Sequence, residues 1–154
     1  LATGRFLSVI DDVDARARAP HVRRLVLCSG KVYVDLATHE GRAAAHDVAI
    51  VRVEQLYPFP EVALREVLEG YTNIDEIVWL QEEPENMGAW EFVRPRLEGL
   101  IDGRAPLRYI GRARSASPAE GSSAWHQLNQ KAIVDQALRR GAGVETPLVL
   151  SKTV

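Results

Sequence analysis

The chain has 154 residues, of which 46% are hydrophobic and 26% are charged, and its formal net charge is −2. This balance is typical of one globular domain and excludes a disordered tail or a strongly basic nucleic-acid-binding domain. No apolar run approaches the roughly 18 residues of a membrane-spanning helix, and the N-terminus lacks the pattern of a secretory signal. The single cysteine, Cys28, excludes an internal disulfide framework and fits a reducing compartment. We therefore expect neither nucleic acid nor a membrane as a partner.

The chain begins with Leu1, and its one methionine is Met87. We expect either that processing removed a leader or that the sequence is a piece of a longer protein. Arginine is far commoner than lysine, which occurs only at Lys31, Lys131 and Lys152. Arginine suits bidentate contact to carboxylate or phosphate, although a codon bias explains the same excess.

Four short β-rich runs predict strands, and each is followed by a loop and a helical pattern. The predicted strands are Arg24–Cys28, Val48–Val53, Glu76–Gln81 and Leu107–Arg112. The second strand is nearly continuous in Val and Ile, as in a strand buried on both faces. The segment Phe6–Ile10 is an extra strand or an arm. Repeated β-α units predict an α/β fold with an open, mainly parallel sheet and helices on both faces.

The helical patterns follow the strands in order. The first starts at Lys31 and places Val32 and Leu36 on one face, which includes Ala43 if the helix runs that far. The second begins near Pro60, ends near Gly70, and has an apolar face of Leu64, Val67, Leu68 and Tyr71.

The third helical pattern carries Trp90, Val93, Leu97 and Leu100 on one stripe, and Pro95 predicts a kink or a restart within it. The last helix is expected at about Ser123–Arg140. Ser122 or Ser123 is placed to cap this helix, and Arg139 and Arg140 favour its C-terminal dipole.

Ligands of open α/β sheets usually lie beyond the carboxyl ends of the strands. Here those ends carry Ser29-Gly30-Lys31, Glu54-Gln55, Glu82-Glu83 and the serines from 115 to 117. The first group opens a helix and suits an anion, but it lacks the spacing of a phosphate loop, so a tight turn with a helix cap is the simpler interpretation. For the two glutamates we expect one to pair with an arginine and the other to cap the next helix.

We assign no catalytic residue and no metal ligand from the patterns alone. The histidines show no ligand spacing; they lie at positions 21, 39, 46 and 126. Cys28, Trp79 and Trp90 are most simply core residues. Ser117, Pro118 and Gly121 shape a loop that approaches a ligand or a partner chain, or is only a connector.

Several segments together resemble one family. They are VRRLVLCSGKVYVDL, AIVRVEQLYPFP, VWLQEEPENMGAWEFVRPRLE and YIGRARSASPAEGSS, with FLSVIDD at residues 6–12 before them. In this order and spacing they resemble the C-terminal region of the thiamine-dependent dehydrogenase component of 2-oxoglutarate dehydrogenase complexes. The resemblance covers about residues 4–140, and the motif QEEPxNxGAW followed by SASPAxG is long and specific.

The resemblance implies a transketolase C-terminal-like domain over residues 21–140, with a lead-in segment or arm at 1–20 and a tail at 141–154. It implies an enzyme that decarboxylates 2-oxoglutarate on thiamine diphosphate and passes the succinyl group to the lipoyl arm of the succinyltransferase component. Thiamine diphosphate and Mg²⁺ belong to preceding domains, so this chain alone is expected to be catalytically silent. The family also implies a homodimer and a bacterial cytoplasmic location.

Some members of this family bind an allosteric effector such as acetyl-CoA or AMP. The positions that match their effector contacts are Arg5, Ser8 and Gln55. Those members carry two consecutive arginines on the following helix, where this chain has Val62 and Ala63, so the likeliest partners of the effector's phosphates are missing.

Two other functions stay open from the sequence. One is the equivalent domain of a pyruvate or branched-chain 2-oxo acid dehydrogenase. The other is a free-standing nucleotide-binding or anion-binding module. The upstream coding sequence distinguishes the first of these from the 2-oxoglutarate enzyme, and ligand titration tests the second.

Overall fold

A computed structural model describes residues 4–118 and 120–139 of the chain. Its centre is a five-stranded sheet in the order β1-β3-β2-β4-β5. The strands are β1 (Val9–Ile10), β2 (Arg24–Cys28), β3 (Val48–Val53), β4 (Glu76–Pro84) and β5 (Leu107–Arg112). Strands β2 to β5 are parallel, and β1 pairs antiparallel with β3 at the edge. The predicted open, mainly parallel sheet is confirmed.

The four parallel strands lie where the sequence predicts them. All five residues of β2 are buried, as are five of the six in β3, which fits strands covered on both faces. Strand β4 is longer than predicted, because it continues beyond Gln81 to Pro84, which pairs with Arg112 of β5. This extension depends on pairing with β5, and the amino-acid pattern of residues 82–84 does not predict it.

Within the described residues, five α-helices cover both faces of the sheet. They are α1 (Val13–Arg16), α2 (Val32–Thr38), α3 (Glu61–Glu69), α4 (Trp90–Ile101) and α5 (Ser123–Leu138). One apolar core lies beneath α1, α3 and α4, and a second lies beneath α2 and α5. Alternate residues of the strands supply the two cores, so Leu25 and Leu27 face the first and Val26 and Cys28 face the second.

Two helical expectations need correction. Helix α2 ends at Thr38, and Ala43 is exposed in a separate 3₁₀ helix, Glu40–Ala44, whose first turn forms where the His39 ring accepts a hydrogen bond from the Gly41 amide. Helix α4 runs on from Trp90 to Ile101 with Pro95 inside it, so the restart is wrong, and the kink stays a prediction.

Helix α5 begins at Ser123 as predicted but ends at Leu138. Ser122 occupies the N-cap position, yet its side chain makes no capping hydrogen bond, so the predicted cap is wrong in its chemistry. Arg139 pairs with Asp135 at 3.4 Å, and Arg140 lies outside the described residues.

The lead-in segment is tied to the sheet by Asp11 and Asp12. The Asp12 carboxylate accepts hydrogen bonds from the Ala15 and Ile50 amides and from the Arg42 guanidinium at 2.6 Å. Asp11 accepts a hydrogen bond from the Tyr71 hydroxyl at 2.8 Å. Within the described residues, no helix is both long and apolar enough to span a membrane.

Candidate functional site

The crevice between the carboxyl ends of β2 and β4 is the candidate site. The chain leaves β2 toward β3 on one side and leaves β4 toward β5 on the other, so the connections diverge there. Such a switch point is where open α/β sheets usually bind ligands. The residues at this point are Ser29, Gly30 and Lys31 from the first strand's loop and Glu82 from the second.

Lys31 is held by two carboxylates at this crevice. Its Nζ donates to Asp35 at 2.8 Å and lies 3.8 Å from Glu82. The hydrogen bond to Asp35 raises the pKa of the Lys31 amine, and Glu82 adds to the effect. Gly30 has a φ of +72°, as a tight turn requires. Helix α2 spans only seven residues, so we assign no anion site to its N-terminus.

Arg112, at the end of β5, joins the same crevice to α5. Its side chain is 12% exposed; it donates to the Glu82 carbonyl and to Gln130 Oε1, and lies 3.3 Å from Glu120. Nη2 of Arg112 is 3.2 Å from Nδ1 of His126. A guanidinium has no acceptor atom, so Nδ1 can enter a hydrogen bond with Arg112 only as the acceptor; the same Nδ1 lies 3.8 Å from Oε2 of Glu120.

Gln130 closes the network by donating to Asp35 at 2.7 Å. The crevice then holds two cations, Lys31 and Arg112, against the three carboxylates Asp35, Glu82 and Glu120. Its formal charge is −1 with His126 neutral, and both cations are engaged by carboxylates. This arrangement locks α2 and α5 to the sheet edge and does not suit a phosphate, which needs uncommitted donors.

Glu82 and Glu83, which lie in the last part of β4, do not have the roles that we expected. Glu82 faces a lysine instead of an arginine, and Glu83 does not cap α4. The acceptor at the start of α4 is Gln81, whose Oε1 receives hydrogen bonds from the Trp90 amide and from the Trp79 indole, both at 3.0 Å.

Gln81 also fixes the loop that follows it. Its Nε2 donates to the Met87 carbonyl at 2.7 Å and to the Pro84 carbonyl at 3.1 Å. Gly88 lies next to the Gln81 side chain, since a Cβ at position 88 would lie only 3.0 Å from Gln81 Nε2. Its φ is +64°, in the left-handed region that favours glycine. The sequence patterns did not single out Gln81, although a polar residue directly after the apolar run Ile77–Leu80 is a usable signal for a buried anchor.

Asn86 connects this loop to the serine loop after β5. Its Nδ2 donates to the Ser115 carbonyl and its Oδ1 accepts from the Ser115 amide, both at 2.9 Å. The Ser115 hydroxyl in turn accepts from the Ser117 amide. The two sequence motifs QEEPENMGAW and SASPAEG therefore form one structural unit at the carboxyl edge.

The candidate effector positions lie elsewhere, beside the N-terminal arm. Arg5 and Ser8 line an open groove of about 430 Å³ with Ala63 and Glu66 of α3. Gln55 is close to Ser8 through the backbone, because its amide donates to the Ser8 carbonyl at 3.1 Å, but its side chain turns to the Pro58 carbonyl. The structure thus brings Arg5 and Ser8 together and leaves the Gln55 side chain outside the groove.

Two arginines, Arg5 and Arg16, and two acids, Asp11 and Glu66, line this groove. Arg16 lines it but pairs with Asp11 at 2.9 Å and stacks on the Tyr71 ring. Ala63 contributes only a methyl group, and Val62 is 73% exposed. Arg5 is consequently the one basic lining residue without a carboxylate partner among residues 4–118 and 120–139.

The three residues that we interpreted as core residues are buried in the structure. Cys28, Trp79 and Trp90 are no more than 6% exposed, and burial raises the pKa of the Cys28 thiol to about 12. In the described part of the chain, no three His, Cys, Asp or Glu side chains are grouped to hold a metal ion.

Four parallel strands with helices on both faces and an antiparallel edge strand define an open α/β domain of the transketolase C-terminal type. The sequence matches the 2-oxoglutarate dehydrogenase C-terminal family over residues 1–138, and the chain belongs to that family.

Curated relatives that match this chain include 2-oxoglutarate dehydrogenase E1 components. A 2-oxoglutarate dehydrogenase E1 component of Cupriavidus necator is 46% identical over 93% of this chain, and one of Exiguobacterium sp. is 43% identical over 92%. One of Azotobacter vinelandii is 44% identical over 89%. The aligned regions are 15%, 16% and 15% of those proteins, so the chain spans about one sixth of the length of these relatives.

Proposed function

We propose that this chain is the C-terminal structural and regulatory domain of a 2-oxoglutarate dehydrogenase E1 component. The full-length enzyme would decarboxylate 2-oxoglutarate in the tricarboxylic acid cycle and transfer the succinyl group to the lipoyl groups of the succinyltransferase component. The observation that carries the proposal is the match of residues 1–138 to the C-terminal family, with relatives about six times as long. The remainder of its own chain and a second protomer are its proposed partners, in the cytoplasm of a bacterium.

The residues of this domain fit a supporting role better than a cofactor site. Thiamine diphosphate needs a Mg²⁺ ion and donors for its diphosphate, and residues 4–118 and 120–139 present no metal-binding group. The switch-point crevice is negative, and its cations are paired. We therefore place thiamine diphosphate and Mg²⁺ in preceding domains, where the cofactor would supply the electron sink for decarboxylation.

Activity of the separated and joined polypeptides tests this function. The gene should continue upstream in frame into thiamine-binding domains, and the full-length product should release CO₂ from 2-oxoglutarate in the presence of thiamine diphosphate and Mg²⁺. The isolated 154 residues should give no turnover under the same conditions. Decarboxylation by the isolated chain, or an upstream frame without such domains, contradicts the proposal.

We further propose that Arg5, Ser8 and Gln55 mark an effector site for acetyl-CoA or AMP. The supporting observation is the groove that Arg5 and Ser8 line against α3. With Arg5 as its one uncommitted cation in the described structure, the site should bind phosphates weakly. Calorimetric titration of acetyl-CoA and AMP tests this site, and an absence of heat at millimolar ligand contradicts it.

A further inference from the structure

His39 lies between two groups that favour opposite protonation states of its ring. Its Nδ1 accepts a hydrogen bond from the Gly41 amide at 3.0 Å, and its Nε2 is 3.4 Å from Oδ1 of Asp135 on α5. The side chain is only 14% exposed, so both contacts are made largely away from water. A ring nitrogen that accepts a hydrogen bond carries no proton, so the neutral ring has its single proton on Nε2, toward Asp135.

A second proton on the ring changes both contacts at once. It binds Nδ1, which then faces the Gly41 N–H as one donor against another, and this hydrogen bond is lost. At Nε2 the charged ring gains an ion pair with the Asp135 carboxylate in place of a neutral contact. Protonation therefore moves the hold of the ring from the 3₁₀ helix Glu40–Ala44 to α5.

We propose that His39 is a pH-operated latch of the 3₁₀ helix Glu40–Ala44. The neutral ring closes the first turn of this helix at Gly41, and the protonated ring opens that turn while it stays bound to Asp135. Histidine is the side chain that ordinarily changes charge between about pH 5 and pH 8. All parts of the latch lie within this domain, so the inference goes beyond the proposed function and does not depend on it.

The charged groups on the elements packed against the ring have contacts of their own. They are Asp35 on α2, Glu40 and Arg42 on the 3₁₀ helix, and Lys131, Asp135 and Arg139 on α5. Glu40 lies 3.5 Å from Lys131, and Arg139 shares the Asp135 carboxylate at 3.4 Å. Among the described residues, Asp135 is the only carboxylate within ion-pair distance of the His39 ring. A change of charge on the ring therefore acts first on Gly41 and Asp135.

Arg42 connects the latch to the lead-in segment. Its guanidinium reaches Oδ2 of Asp12 at 2.6 Å, and the same oxygen accepts a hydrogen bond from the Ile50 amide at 3.0 Å. Arg42 also donates to the Val48 carbonyl at 3.0 Å. Since Gly41 directly precedes Arg42, opening the turn at Gly41 should loosen the hold of the 3₁₀ helix on Asp12.

An NMR titration of the 154-residue chain between about pH 8 and pH 5 tests the latch. At high pH the Gly41 nitrogen and Nδ1 of His39 should show a scalar coupling through their hydrogen bond. As the ring gains its second proton, this coupling should vanish, and the amide signals of Gly41 and Ile50 should shift with the midpoint of the ring. Exchange of the Gly41 amide, corrected for its intrinsic pH dependence, should become about threefold to tenfold faster, because one hydrogen bond is lost.

Two substitutions of His39 should fix the latch in its two positions. An asparagine oxygen at this N-cap position accepts a hydrogen bond at either pH, so His39→Asn should keep the Gly41 signal in its closed state throughout. His39→Ala removes the acceptor, so Gly41 should show the open state throughout. The unchanged chain should move from the first state to the second as the pH falls. His46→Asn is the matched control, because His46 is exposed and its loss should leave the transition unchanged.

Three results overturn the latch: no coupling between Gly41 and His39 at high pH, a ring that gains no second proton in this range, or a Gly41 signal that stays closed when the ring is charged. A response of Gly41 without one of Ile50 overturns the connection to the lead-in segment. If His39→Ala does not fold, the unchanged chain and His39→Asn still decide the question. None of these measurements involves 2-oxoglutarate turnover, so the failure of the latch and the failure of the proposed function are distinguishable.

Discussion

Arg24 and Glu76 form a buried ion pair at the amino edge of the sheet, with Nη2 2.8 Å from Oε1. Arg24 is 3% exposed, and its Nη1 also lies within 2.9 Å of the carbonyl oxygens of Gln136, Ala137 and Arg139. The Gln136 and Ala137 carbonyls belong to the last turn of α5, which has no intrahelical donors for them, and the Arg139 carbonyl follows directly after the helix. One guanidinium thus joins β2 to β4 and caps the C-terminal helix.

Replacement of Arg24 by methionine should destabilise the domain by about 3–5 kcal/mol. The substitution keeps the apolar stem but leaves the Glu76 carboxylate with only Arg108, at 3.4 Å, and leaves the end of α5 uncapped. Urea unfolding of the isolated chain measures the effect. Arg23→Met is the matched control, because Arg23 pairs with Asp75 in a half-exposed contact at 3.8 Å and should cost about 1 kcal/mol or less. Similar losses for the two variants would show that Arg24 is not an anchor.

Gln81→Leu should destabilise the domain by roughly 2–5 kcal/mol, because two buried donors, the Trp79 indole and the Trp90 amide, lose their acceptor. Leucine has a similar volume, so the loss reflects hydrogen bonding more than packing. Urea unfolding checks the size of the effect, and near-ultraviolet circular dichroism of the tryptophans checks their altered surroundings. Gln127→Leu, at an exposed position, should change stability by less than about 0.5 kcal/mol. A stable Gln81→Leu variant would mean that water or the backbone replaces the amide.

The sequence predicts the strands well because their signal is local. Arg24–Cys28, Val48–Val53 and Leu107–Arg112 have the predicted bounds, since each is a short run that loops interrupt on both sides. The apolar spacing allows the first helix to extend to Ala43, but the helix ends at Thr38 because the chain turns at His39, whose ring accepts a hydrogen bond from the Gly41 amide. Apolar spacing carries no information about such a contact.

The candidate site was only half predictable. Lys31 and Glu82 follow from the rule that ligands lie beyond strand ends, and they do meet. Arg112 also ends a strand, but its contact with Gln130 joins residues that lie on β5 and α5 and depends on how α5 crosses the sheet. Tertiary packing decides that crossing, and no periodicity in the sequence records it.

Cys28 should make the stability of the domain fall in alkaline solution. Its thiol has an ordinary pKa of 9.0, and burial raises the pKa to about 12 in the folded chain. Between these values the unfolded thiol ionises and the folded one does not, so this contribution to stability is complete below pH 9 and is lost as the pH rises toward 12.

The comparison with Cys28→Ala isolates this thiol. The difference in unfolding free energy between the unchanged chain and the variant should shrink by about 1.4 kcal/mol for each pH unit above 9. Burial also raises the pKa values of Tyr71 and Tyr109, but both proteins contain these phenols and their effects cancel. A difference that stays constant from pH 8 to 11 would show that the thiol is not protected in this way.

Ala63→Arg should strengthen acetyl-CoA binding at the groove beside the arm by about tenfold or more, because one charge-assisted hydrogen bond to a phosphate contributes about 1.5–3 kcal/mol. Position 63 lines the groove with Arg5 and Ser8, so a guanidinium placed there can reach the same ligand. Calorimetry at fixed salt measures the affinity, and Arg5→Ala should reduce it in both backgrounds. Ala37→Arg adds the same charge at an exposed position of α2 and should leave affinity unchanged. Equal gains from the two arginines would indicate a general attraction of the anion, and no gain from Ala63→Arg would place the effector elsewhere.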